Sequence, residues 1–266
     1  TEPYSSCDLF EYEDLNSSCV YNDCELIDEY CSNEKNQEVS NNTSENQIAE
    51  NIYFENGTCK CPNATIGDTA TISGTTYTVV DNNSIKTEVS NGNVNLCTTH
   101  VNNLYNIFSK NSSFNSDISF WDTSNVTNME LLFWEVSSFN QNIGSWDTSS
   151  VVNMRGMFNA AKEFNQNISD WDTSNVTNMD NMFGMASSFN QNIGNWDTSN
   201  VTNMSSMFAE AINFNQNIGN WNTIKVTNMA AMFSRAIKFN QDIGKWNISN
   251  VTNISVIFEV SQLPIF

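Results

Sequence analysis

The chain has 266 residues, with Lys+Arg 10 against Asp+Glu 30, a net charge of -20 and a pI near 4.1. Phosphate polymers are repelled by such a surface, which excludes nucleic-acid binding as a class. No stretch approaches the ~20 apolar residues of a membrane span. Polarity comes mainly from neutral side chains: 46 Asn, 32 Ser and 22 Thr make up 100 of the 266 residues. That is not the composition of an ordinary helical domain. The sequence opens at Thr1 without an apolar signal region, as expected of a processed or truncated form.

Residues 1–60 are expected to form an acidic, cysteine-rich head and linker. They hold 14 acidic and 2 basic side chains, and so carry -12 of the total charge. Four cysteines, Cys7, Cys19, Cys24 and Cys31, fall in a segment with little apolar material for a core. That pattern reads as a disulfide-stapled knot in an oxidising compartment. Cys59, Cys61 and Cys97 complete the set. No C-x-x-C pair sits at zinc-finger spacing, and Cys59-Lys60-Cys61 is too tight for a structural zinc knuckle, so disulfides are favoured over metal. Seven is odd, so one thiol is free, paired between chains or paired elsewhere. Residues 33–56 read as a polar loop or linker.

Residues 61–100 are expected to be a small lead-in. Two β-branched runs between Thr69 and Val80 flank Ser73-Gly74, a hairpin signal. Ser84 to Ser90 suits one short helix, with Gly92 as its stop.

Residues 101–266 repeat with a period of 25, giving six to seven units. Trp121, Trp146, Trp171, Trp196, Trp221 and Trp246 share one register. Phe114 to Phe239, Ile118 to Ile243 and Phe108 to Phe258 define three more. Such self-similarity marks a stacked repeat architecture. Met129, Leu132, Phe133 and Val136 follow i, i+3, i+4, i+7, which predicts a helical turn or two. Phe139 to Ile143 alternates as a short strand would. The expected fold class is an α/β solenoid whose coils run strand, turn, short helix, turn.

The unit Phe189-Asn-Gln-Asn-Ile-Gly-Asn-Trp-Asp-Thr-Ser-Asn-Val-Thr-Asn-Met-Ser-Ser-Met-Phe208 resembles the BspA-type leucine-rich repeat, a 25-residue mycoplasma-type repeat of unknown function. The resemblance covers Val101 to Phe258, and Ile66 to Val101 is similar to the lead-in of such repeats. It implies a right-handed leucine-rich solenoid on surface or secreted proteins, adhesion or surface-layer roles, and no shared catalytic residues. Phe and Trp stand here where leucine is typical, and the cysteine-rich head is no part of the family pattern.

No nucleophile motif accompanies His100, the lone histidine, so no catalytic residues are assigned and the chain reads as a non-enzyme. Asp122, Asp147, Asp172 and Asp197 form a column continued by Asn222 and Asn247. Calcium between coils is the sharper reading of that column. Its change to Asn favours the plainer one, that each side chain holds its own turn. No cofactor or metal is assigned. The invariant Asn103, Asn128, Asn153, Asn178, Asn203, Asn228 and Asn253 read as a buried amide ladder between coils. Thr123 and Thr127 start columns that resemble the threonine ladder of an ice-binding surface.

Fifteen Asn-x-Ser/Thr sequons occur. Position selects Asn16, Asn41 or Asn42, Asn56, Asn63, Asn82, Asn111 and the exposed register Asn125, Asn175, Asn200 and Asn250 for N-linked glycans. Asn203 and Asn253 are expected bare.

The last coil is apolar: Ile257 and Phe258 are followed by Leu263, Ile265 and Phe266. These are candidate interface residues, because an uncovered apolar coil is an aggregation hazard. Head-to-tail stacking of identical chains is heterologous and makes fibres, and the odd cysteine is placed to lock such a joint. The expected function is therefore an extracellular, cell-surface structural glycoprotein that self-associates into a filament or surface layer. The alternative is an adhesin or receptor ectodomain that binds protein or glycan on the solenoid face.

Overall fold

The computed structural model describes residues 51–258. Cys7, Cys19, Cys24, Cys31, Asn16, Asn41, Asn42, Leu263, Ile265 and Phe266 lie outside the described residues. The chain divides between Glu50 and Asn51, ten residues before the expected boundary. The reason is a hairpin hidden in the supposed linker. Strand β1 (Tyr53–Glu55) pairs antiparallel with β2 (Thr58–Lys60). Asn56 and Gly57 between them have φ of 51° and 85°, the pair of positive values that a type I′ hairpin turn requires. The hairpin belongs to the lead-in, because Cys59 N–H donates to Phe120 O at 2.8 Å and Cys61 is disulfide-bonded to Cys97.

The second hairpin forms where the β-branched runs predict it. Strands β3 (Thr69–Ile72) and β4 (Thr75–Asp81) pair antiparallel around Ser73-Gly74. Helix α1 (Ile85–Ser90) buries Ile85 and stops before Gly92. Strand β5 (Leu96–His100) then pairs parallel with β4. It also imitates a repeat coil. Thr98 Oγ1 donates to Asp122 O as Thr123 Oγ1 does to Asp147 O, and Trp121 Nε1 donates to Val94 O as Trp146 Nε1 does to Ile118 O. The first coil is thus covered by a surface already shaped like one.

Beyond β5 the described residues form coils that hydrogen-bond to their equivalents one period on. The expected helix at 129–136 is not formed. Met129, Leu131, Phe133 and Glu135 send their N–H groups to Asn153, Arg155, Met157 and Asn159 carbonyls of the next coil. Leu132, Trp134 and Val136 close tight turns onto Met129, Leu131 and Phe133. A helix would keep every one of these donors for itself. The turns still bury Met129, Leu132, Phe133 and Val136, so they satisfy the same apolar spacing by another route. The alternation requires left-handed backbone at Leu131 (φ 56°) and Glu135 (φ 59°), and the pair recurs at Asn181 and Met185 and at Ser206 and Glu210. Each such non-glycine residue costs about 1–2 kcal/mol locally, offset by the coil-to-coil bonds it aims.

Parallel pairing also falls elsewhere than expected. Single-residue bridges link Asn103, Asn128, Asn153, Asn178, Asn203, Asn228 and Asn253 in turn, while 139–143 forms no strand. That segment is joined by side chains instead. Asn140 N–H donates to Asn115 Oδ1, Asn165 to Asn140 and Asn190 to Asn165. Gln166 and Gln191 reinforce the same steps. This is the amide ladder of the stack, displaced from the register where the sequence suggested it.

Two phenylalanine columns form the spine. Phe133, Phe158 and Phe183 stack at 5.5 and 5.6 Å between centroids. Phe139, Phe164 and Phe189 stack at 5.9 and 6.1 Å, and the pairs within a coil, such as Phe133 with Phe139 and Phe158 with Phe164, meet at 3.9 and 4.0 Å. The six in-register tryptophans flank this spine nearly buried, and Trp171, Trp196, Trp221 and Trp246 each donate Nε1–H to the carbonyl 28 residues earlier.

Candidate functional site

The seventh tryptophan breaks the repeat. Trp134 occupies a register that holds Ser109, Asn159, Gly184, Ala209 and Ser234 elsewhere. Side-chain size therefore falls along the row, from an indole at one coil to a bare Gly184 two coils on. The step leaves an open groove of about 630 Å³ lined by Trp134, Glu135, Asn159, Lys162, Asn181 and Met185, among others. Such a volume lies in the range of ligand sites.

Each wall is set by the coil geometry. Glu135, Asn181 and Met185 sit at the left-handed turn positions, which carry their side chains away from the spine; Met185 is 48% exposed. Asn159 is buried, and its Nδ2 donates to Gly184 O at 3.2 Å. A Cβ at Gly184 would collide with Asn181 Oδ1 and stand 2.7 Å from Asn159 Nδ2, so the missing side chain gives both amides their room. On the other side, from the preceding coil, Lys110 Nζ stands 4.6 Å from the Trp134 ring centroid, a cation–π contact. Lys162 forms no ion pair among the described residues. The groove thus offers an aromatic wall, an exposed thioether, two amides and one charge of each sign. Sequence reasoning missed it, although an off-register tryptophan was the available signal.

The other assigned residues serve the stack. Asp147 Oδ1 accepts from Ser149 N–H and Oγ–H, and Asn247 accepts identically from Ser249, so the Asp column closes its own turns. Asp172 is held below the usual carboxylate range by the Ser174 hydroxyl and N–H. Asp122 differs. It is 2% exposed and bonded to Lys60, Thr99 and Ser124. Burial pushes its carboxyl up, but those hydrogen bonds win and hold it down. His100 Nε2 bonds Cys61 O at 2.9 Å. The Thr123 column is buried with its hydroxyls on carbonyls of the next coil, so it presents no threonine face to water.

Three sequence assignments change. The register of Asn103 pairs between coils through its backbone, but its side chains do not form a buried amide ladder: Asn128, Asn153, Asn178, Asn203 and Asn228 are half-buried, and each Oδ1 accepts its own coil's N–H two residues on, as Asn203 does from Ser205. Burial therefore gives no reason for Asn203 to be bare. Asn56, Asn63, Asn82, Asn111, Asn125, Asn175 and Asn250 are exposed, but Asn200 is half-buried and its Oδ1 receives Lys225 Nζ. Cys59, counted with the disulfides, is an unbonded buried thiol. Burial and then the Asp122 charge push its pKa up to about 12. Of the interface candidates, Ile257 is half-buried and Phe258 is 54% exposed, stacked on Phe233.

No helix among the described residues is long and apolar enough to cross a membrane. Comparison with curated proteins and with solved structures gave no match. A family described as "Mycoplasma protein of unknown function, DUF285" matches residues 76–190 and 163–263. Those two matches run through the lead-in sheet and the repeat coils, and the chain belongs to that family.

Proposed function

We propose that the chain is a non-enzymatic extracellular glycoprotein, a BspA-type solenoid that acts as an adhesin or receptor ectodomain and binds through the side of its stack. The observation that carries this reading is the groove at Trp134. Residues that build the coils recur every 25 positions, whereas the Trp134 side chain does not: the coil-to-coil bond at this position is made by its backbone carbonyl, which accepts from Lys110 N–H at 2.7 Å, and its indole N–H has no acceptor among the described residues. The Cys61–Cys97 disulfide supports an oxidising location. Cys59 is buried with its thiol pushed up to about 12, and so is not poised as a nucleophile. The test is adhesion of beads coated with the full chain to animal and bacterial cell surfaces. The wild type is expected to adhere and Trp134→Ser to lose adhesion; equal adhesion by both contradicts the reading.

The second reading is head-to-tail assembly through the last coil. It is favoured by the exposure of Ile254, Val256 and Phe258, at 47%, 55% and 54%. Light scattering over a wide concentration range checks it: growth of polymers that Phe258→Asp suppresses supports it, and a constant monomer mass opposes it.

A further inference from the structure

We propose that the Trp134 groove is a binding site for a neutral oligosaccharide, an inference that rests on the adhesive reading and names its ligand class. Three departures from the repeat converge there. Trp134 replaces small residues, Lys162 is the one charged member of a register otherwise holding Ser112, Ser137, Ser187, Ile212 and Ile237, and Met185 is the large apolar member of a register that holds Lys110, Glu135, Ala160, Glu210 and Arg235.

The groove chemistry selects the ligand. A pyranose presents one C–H face and a rim of hydroxyls, each both donor and acceptor. The indole offers a flat apolar wall, and its Nε1–H has no acceptor among the described residues. Asn159 commits one N–H to Gly184 O and keeps its Oδ1 for another donor. An apolar peptide side chain would leave these amides desolvated and unmet, at about 1–3 kcal/mol each. An extended peptide backbone finds no open strand edge, because Phe133, Glu135, Phe158 and Ala160 N–H groups are already given to the next coil. Glu135 and Lys162 balance in charge at the groove, while the chain as a whole carries -20. Acidic saccharides are therefore repelled at long range and neutral ones are not.

The test follows the Trp134 indole N–H in ¹H–¹⁵N spectra of the full chain during addition of maltotriose, cellotriose and mannotriose. At least one is expected to shift that signal and leave the six ladder indoles unmoved. Trp134→Ser and Lys162→Ser install residues their registers already accept, so both should fold; each is expected to weaken binding at least tenfold. If no trisaccharide moves the signal, and bead adhesion survives periodate oxidation of the target surface yet is lost in Trp134→Ser, the groove takes protein. The saccharide inference then falls and the adhesive reading stands. If Trp134→Ser beads adhere normally while a trisaccharide still shifts the wild-type indole, the reverse holds.

Discussion

Lys60 Nζ lies 2.8 Å from Asp122 Oδ1 across 62 residues of chain, and the Thr99 and Ser124 hydroxyls fill the rest of that carboxylate at 2.8 and 2.7 Å. One buried anion thus clamps β2, β5 and the first coil together. Asp122→Asn is expected to cost about 1–3 kcal/mol in urea unfolding, as for a buried group stripped of charge-assisted partners. Asp147→Asn should stay within about 0.5 kcal/mol of wild type, because Asn247 already closes the same turn in the last coil. Equal costs at the two sites would refute the clamp.

The same carboxylate sets an acid limit. Its folded pKa is lowered, so the stability it contributes is present above the ordinary carboxylate value and is lost as pH falls through the folded one. Urea midpoints measured from pH 6 down to pH 2 should decline, and less steeply in Asp122→Asn. Parallel declines in the two proteins would assign acid sensitivity elsewhere.

Cys59 is expected to resist iodoacetamide at pH 8 in the folded chain and to react once urea unfolds it, because its thiol is buried and raised to about 12 from 9.0. Its contribution to stability is present below the unfolded value and is lost as pH rises toward the folded one. Peptide mapping reads this directly. Rapid native labelling of Cys59, or a Cys59 disulfide in the purified chain, counts against the assignment.

The repeat, its inward-facing registers and the lead-in hairpin at Ser73-Gly74 were legible because they are local or periodic. The helix and strand assignments inside a coil were not. The i, i+3, i+4, i+7 spacing of Met129 to Val136 reports which side chains face inward, and overlapping turns meet it as well as a helix does. What decides is where each N–H goes, and those partners lie 24 residues on. The Asn columns misled for a related reason: invariance shows that an amide is needed, and both Asn140, bonding across coils, and Asn128, bonding within one, satisfy that. The Trp134 groove was hidden because a search for regularity passes over the residue that departs from it.

The spine predicts a steep packing cost. Phe183 is fully buried and stacked on Phe158, Phe189 and Phe208, so Phe183→Ala should cost about 3–5 kcal/mol. Phe258→Ala, at the exposed end of the same column, should cost far less. Thermal unfolding compares them, and similar losses would argue against a continuous stack.

Glycan occupancy separates exposed amides from engaged ones. Asn125, Asn175, Asn200 and Asn250 each donate Nδ2–H to a carbonyl of the preceding coil, and Asn200 is also covered by Lys225. Glycopeptide mapping of chain secreted from a eukaryotic host should find Asn111 and Asn63 occupied more fully than Asn200. Full occupancy of Asn200 with Asn111 empty would reverse that order.

The most direct test of coil-to-coil registry is solvent exchange of the seven indole N–H groups in a ¹⁵N-labelled chain. Trp121, Trp146, Trp171, Trp196, Trp221 and Trp246 are at most 8% exposed and bonded to carbonyls 27 or 28 residues earlier. The stack therefore predicts six slowly exchanging indoles and one fast signal, which disappears in Trp134→Ser. Seven indoles exchanging alike, or a fast signal that survives that substitution, would contradict it.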